Sequence, residues 1–214
     1  MQAPAVTPQA LSDEQIEQFI QDGFVRVEKA FASRDAEEGR AILWKDTGCD
    51  ADDPATWTKP VIHLGSYAQD PFARAVNTPM LHQAFDQLAG QKRWLPRMTL
   101  GTFPVRFPSL EDPGDAGWHV DTSFKIDGTN PNDFLDWRAN VTSRGRALLL
   151  LFLFSDVGND DAPTRIRAGS HLDVARMLAP AGDDGLTLRQ LAANDFAETA
   201  ARKEVLATGE AGTV

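Results

Sequence analysis

Apolar positions recur at helical spacing over residues 11–90 and at strand-like spacing afterwards. Ile16, Phe19 and Ile20 line one side of a helix that opens on the capping box Ser12-Asp13-Glu14-Gln15 and stops at Gly23. Phe24-Val25-Arg26-Val27 reads as a first strand, and a second helix starts at Ser33 and carries Ala41, Ile42 and Leu43. Residues 46–59 are polar and turn-rich, as in a loop. Thr78-Pro79 pairs a cap with proline at the first helical position; Leu81, Phe85 and Leu88 then face inward, and Gly90 ends the helix.

From Arg97 the pattern changes. Residues 98–107 read as a strand, with Pro104 marking an edge or a bulge. A further strand follows at Trp118-His119-Val120-Asp121. Residues 125–146 form a long polar segment of the kind that covers a site. The apolar run 148–154 predicts a strand buried on both faces. Thr164-Arg165-Ile166-Arg167 alternates, and a turn at Ala168-Gly169-Ser170 leads into a helix over 172–178. Residues 186–193 predict another helix, and Lys203-Glu204-Val205-Leu206 a strand. After the turn at 208–212, Thr213-Val214 opens one more strand. Such an opening calls for a partner strand, so the chain is expected to continue past Val214. Residues 1–10 read as a loose lead-in. The expected organisation is one domain over 1–214, with a helical part at 11–90 and a β-rich core at 97–214.

Composition narrows the partners. Of the 214 residues 42% are hydrophobic and 24% charged, ordinary values for a globular chain. The net charge of -10 argues against a nucleic-acid surface or a broad contact with anionic lipid, though a few arginines can still hold a small anion. One cysteine, Cys49, cannot form an internal disulfide, which points to a reducing, cytoplasmic setting. No signal peptide is read in the first ten residues, and the longest apolar run, 147–154, is far too short to span a bilayer. No membrane partner is expected, and the sequence leaves oligomeric state open.

The chemistry concentrates at Gly117-Trp118-His119-Val120-Asp121. His119 and Asp121 are two apart, so on extended backbone both side chains share a face. That is two thirds of a 2-His-1-carboxylate triad, the set that holds Fe(II) and leaves positions open. The triplet alone is better explained by a strand-end histidine bonded to a neighbouring aspartate. Context changes the balance.

The order of features resembles the phytanoyl-CoA dioxygenase family of Fe(II)- and 2-oxoglutarate-dependent oxygenases. Residues 11–25 look like its N-terminal helix and first strand, and Trp118-His119-Val120-Asp121 like its proximal metal motif. Asp161-Ala162-Pro163-Thr164-Arg165-Ile166-Arg167-Ala168-Gly169-Ser170-His171 looks like its N-G-P-T-x-x-x-P-G-S-H segment, with Ala168 in place of proline. Residues 208–214 resemble the turn that precedes its distal histidine. The likeness covers nearly the whole chain in order.

The resemblance implies a mainly β, α+β architecture: a double-stranded β-helix, or jelly-roll, with flanking helices. It implies His119 and Asp121 as metal and catalytic ligands, with Fe(II), 2-oxoglutarate and O2 as cofactor and co-substrates. A small molecule would be hydroxylated. Halogenating relatives lack the carboxylate, so Asp121 favours hydroxylation. The distal histidine and the arginine that pairs with 2-oxoglutarate are expected beyond Val214. His171 belongs to the Gly-Ser-His turn and is not expected to be a ligand.

Weaker candidates surround this pair. Arg106 ends the preceding strand and suits a co-substrate carboxylate, although a surface ion pair explains it equally well. Trp118, Ser123, Arg165 and Arg167 are candidate substrate contacts, against packing, turn and solvent roles; Phe124 could line the entrance. His63 and His82 read as structural. Two other function classes compete: a jelly-roll binding domain without oxygen chemistry, and a cupin-type hydrolase using Zn or Mn. No G-x-S-x-G motif supports a serine hydrolase.

Overall fold

A computed structural model describes residues 9–214. The lead-in expected over 1–10 therefore lies, up to residue 8, outside the described residues. Helix α1 (Asp13–Asp22) starts where its capping box predicts: Ser12 Oγ accepts from the Gln15 N–H, and Gln15 Oε1 accepts from the Ser12 N–H. Helix α2 (Ser33–Thr47) follows, and then strand β1 (Val61–Leu64) and helix α3 (Asp70–Val76). Helix α4 (Pro79–Ala89) is capped by Thr78 Oγ1 on the Leu81 N–H, as its Thr-Pro start predicts.

These helices share one core. Leu11, Phe31, Ala36, Leu43, Phe72, Leu81 and Phe85 are buried together with Phe154 from the second half of the chain. Phe72 is fully buried, with ring centroids of Tyr67, Phe103 and Phe154 at 5.0, 5.4 and 5.4 Å. Gly39 lets α2 approach this cluster, since a β-carbon there would lie 2.7 Å from the Phe154 ring.

The strands are short and all antiparallel. β1 pairs with β2 (Phe103–Arg106), β3 (Arg138–Ala139) with β5 (Leu186–Thr187), and β4 (Arg165–Arg167) with β6 (Glu204–Leu206). Helix α5 (Ser170–Leu178) and helix α6 (Leu188–Leu191) complete the described elements that matter to the site. The described residues are 34% helical and 11% strand, with no closed barrel among them. They thus form a mixed helix and antiparallel-sheet fold whose balance is helical rather than mainly β.

Several expected strands form no ladder. Residues 24–27 and 118–121 belong to no strand, although Val27 exchanges both backbone hydrogen bonds with Val214, at 2.8 and 3.0 Å. The strand expected over 98–107 contracts to β2, in which Pro104 tolerates an edge because the sheet has only two strands. The run 148–154 is not a strand buried on both faces. Leu148, Leu150 and Phe152 pack on the helical core while Leu149 and Leu151 are 65% and 43% exposed, because the core lies on one side only. The helix expected over 186–193 begins later, at Leu188, where Thr187 forms a capping box with Gln190. Residues 125–146 are not structureless, since a 3-10 turn at Phe134–Asp136 and β3 lie within them.

The turn at 208–214 ties the two halves together. Gly212 has φ 100°, and the Thr213 N–H donates to Glu210 O at 3.1 Å. Gly212 N–H donates to Leu153 O while Leu153 N–H donates to Thr213 O, both at 2.9 Å, which is the pattern of a glycine bulge. A β-carbon on Gly212 would lie 2.8 Å from Phe31 O, so backbone from both halves meets at this glycine.

Candidate functional site

Burial alternates along the extended stretch that carries the H-x-D motif. Trp118 and Val120 turn toward a second, smaller core built on Leu178, Leu191 and Phe196. His119 and Asp121 are exposed between them, so the two-residue spacing does put both on one side, without help from a sheet.

The surroundings fix how each group is presented. His119 Nδ1 lies 3.3 Å from Gly117 O, and a carbonyl can only accept, so this bond places the proton on Nδ1. Nε2 then keeps its lone pair for a cation, the usual arrangement behind an imidazole ligand. Asp121 Oδ1 lies 3.5 Å from Arg146 Nη1, and Arg146 Nη2 donates to Thr122 O at 3.3 Å. Arg146 Nη1 is shut off from solvent and has no hydrogen-bond partner. The pair His119–Asp121 has the donor chemistry for Fe(II); among the described residues no group of three or more His, Cys, Asp or Glu side chains is positioned to hold a metal ion.

The other candidates fall into separate places. Ser123 Oγ donates to Arg144 O, and the Ser123 N–H to Arg138 O at 2.9 Å, so this residue holds the second half of the polar segment at two points. Phe124 is buried and pairs with Arg138 through the backbone. The polar segment itself is anchored, with Phe134 stacked on Trp137 at 4.8 Å, the Lys125 ammonium 4.2 Å over Trp137, and Arg189 of α6 bonded to Asp133 at 2.8 Å.

Trp118, Arg165 and Arg167 come together, but on the side away from His119 and Asp121. The guanidinium carbons of Arg167 and Arg165 lie 3.8 and 5.0 Å from the Trp118 ring centroid, a cation–π stack. Arg167 is only 11% exposed and donates to Thr199 Oγ1 at 2.8 Å and Phe196 O at 3.3 Å. These contacts fasten β4 to the second core.

Arg106 is engaged elsewhere. It grips Asp115 with two bonds, and His63 Nε2 lies 3.1 Å from the same carboxylate. Arg106 holds the Asp115 carboxyl below its ordinary range, burial opposes the shift, and His63 adds to it. His63, expected to be structural, thus belongs to an ion-pair cluster two residues upstream of Gly117.

His171 sits where its turn predicts. Its Nε2 lies 3.1 Å from Ile20 O, and a β-carbon on Gly23 would collide with its ring, so it closes the end of α1. His82 pairs with Asn77 Oδ1 at 3.1 Å and packs on Trp94. The residue that sequence reasoning missed is Arg146. Its only signal was its place as the last cation of the long polar segment, just before the apolar run. No family model matches the chain, and no curated protein or solved structure matches it significantly.

Proposed function

We propose that the protein is an Fe(II)- and 2-oxoglutarate-dependent oxygenase that hydroxylates a small molecule, of the phytanoyl-CoA dioxygenase type. The observation that carries the reading is the joint exposure of His119 and Asp121 on one side, with His119 Nδ1 committed to Gly117 O. In this reading His119 Nε2 and Asp121 would hold the metal. The bound iron and 2-oxoglutarate supply oxygen activation. The rest of the chain orients: Gly117 sets the imidazole, and Ser123 holds the polar segment beside the carboxylate.

The finer fold is part of the proposal. The three antiparallel pairs and the extended stretches 24–27, 118–121 and 148–154 are taken as portions of a jelly-roll flanked by α1–α4. No helix among the described residues is long and apolar enough to cross a membrane, consistent with a small-molecule substrate met away from the bilayer. With a net charge of -10 and one cysteine, we take the setting to be the cytoplasm.

A second reading has one observation in its favour. Asp121 already has a cationic neighbour in Arg146, which suits a binding domain that keeps the fold without oxygen chemistry. Succinate release from 2-oxoglutarate separates the two. The oxygenase reading expects release that needs Fe(II) and O2 and disappears in Asp121→Ala. Turnover of a hydrolysable substrate with Zn or Mn in the absence of oxygen would replace it with the hydrolase reading.

A further inference from the structure

One edge of the apolar run 147–154 is open along most of its length. Leu153 exchanges backbone hydrogen bonds with Gly212 and Thr213, and Val157 with Gly209, which lays this part of the chain antiparallel against residues 209–213. Toward Ala147 burial alternates as on a strand: Leu148, Leu150 and Phe152 meet the helical core, while Leu149 and Leu151 are exposed. Backbone groups two residues apart on a strand face the same edge, so those of Leu151, Leu149 and Ala147 continue the line from Leu153. Among the described residues, these N–H and C=O groups have no backbone partner. A row of open backbone groups is a template for another strand, and residues 147–154 contain no proline, glycine or charge to blunt it.

We infer that this edge is the interface of a homodimer, in which residues 147–151 of two copies pair antiparallel across a two-fold axis at Leu149. What stands open is backbone, so the occupant is itself a strand. A second copy fits because the run is apolar at every rung: Leu149 meets its own counterpart, Leu148 meets Leu150, and Ala147 meets Leu151. The flanks match as well. Arg144 and Arg146 precede the run, and Asp156 stands at its far end, bonded to the Ala211 N–H beside Glu210. Antiparallel pairing turns the basic flank of each copy toward the acidic flank of the other, which offsets part of the repulsion between two chains of net charge -10. Each copy leaves the edge at the turn that Gly145 makes at φ 82°, before it reaches Val214, the residue after Thr213 on the neighbouring line. The outer faces of Leu149 and Leu151 stay toward water, so association draws on the backbone bonds and the leucine pairs along the edge. The interface is independent of the chemistry at His119 and Asp121.

The test is sedimentation velocity of the whole protein over a wide range of concentration, with amide hydrogen exchange measured at both ends of that range. The wild type should pass from monomer to dimer as concentration rises, and the Leu149 and Leu151 amides should exchange more slowly at the high end. Leu149→Lys sets two ammonium groups face to face at the axis and should weaken association about tenfold or more. Because Leu149 is exposed in the single chain, its circular dichroism should match the wild type. A wild type that is monomeric throughout overturns the inference. So does protection of these two amides that is equal at every concentration, which would mean that something other than a second copy covers the edge. A dimer in which both amides exchange freely overturns it too, since the copies would then meet elsewhere. The wild-type measurements decide the matter whether or not the variant folds.

Discussion

The Arg106 guanidinium holds Asp115 in a fork, Nη1 to Oδ1 at 3.1 Å and Nη2 to Oδ2 at 3.0 Å. A bidentate bond of this kind removes Arg106 from the pool of free cations beside the H-x-D motif. It also gives the stretch between β2 and Gly117 a fixed point, two residues before the glycine whose carbonyl orients His119. A co-substrate carboxylate would have to displace Asp115 to reach this arginine.

The pair makes stability depend on acidity in a defined direction. Asp115 titrates below its ordinary value of 3.8 in the folded protein, chiefly because of Arg106. A carboxyl with a lowered folded value stabilises above the unfolded value, and that contribution is lost as pH falls through the folded one. Asp115→Asn should therefore cost about 1 kcal/mol at neutral pH, the worth of a charge-assisted bond at a partly exposed site. Urea unfolding should show the difference from the wild type shrinking below about pH 4. A difference that is constant down to pH 2 would contradict the assignment.

The one-sided packing of 148–154 predicts unequal neighbours. Leu150 faces the helical core and Leu149 is 65% exposed. Leu150→Ala should lower stability by about 2 kcal/mol, near the low end for a core leucine because the site is only half-buried. Leu149→Ala should stay within about 0.5 kcal/mol. Similar losses from both in urea titrations would mean that the exposed side is covered in the native protein.

Gly212 has no tolerable replacement. Its φ of 100° strains any L side chain, and the added carbon meets Phe31 O at 2.8 Å. Gly212→Ala should cost about 2 kcal/mol or more, seen as a lowered Tm, because both the bulge against Leu153 and the Val27–Val214 pairing depend on this turn.

What could be read from the sequence was what depends on neighbours in the chain. The capping box at Ser12 and the Thr78-Pro79 start mark real helix ends, since a cap and its partner lie within one turn. The shared side of His119 and Asp121 follows from the period of extended backbone alone. Helix α3 escaped notice because its seven residues span fewer than two full turns of pattern. The run 148–154 misled because a continuous apolar segment does not reveal that only Leu148, Leu150 and Phe152 meet a core. The sequence offered an ion pair for Arg106, but not which carboxylate, and offered nothing for Arg146. Their partners are set by closures of the chain, at Ser123–Arg144 and at His63–Asp115, that no local spacing encodes. Trp118 reads from the sequence as either a substrate contact or a packing residue; alternation decides for packing, on the second core and under Arg165 and Arg167.

Whether His119 and Asp121 hold Fe(II) with 2-oxoglutarate is tested by an anaerobic titration with both, watched for the visible metal-to-ligand charge-transfer band. A band should form in the wild type and be absent in His119→Ala and Asp121→Ala. A wild type that binds neither ion nor oxo acid, or a band that survives loss of His119, would contradict the metal reading.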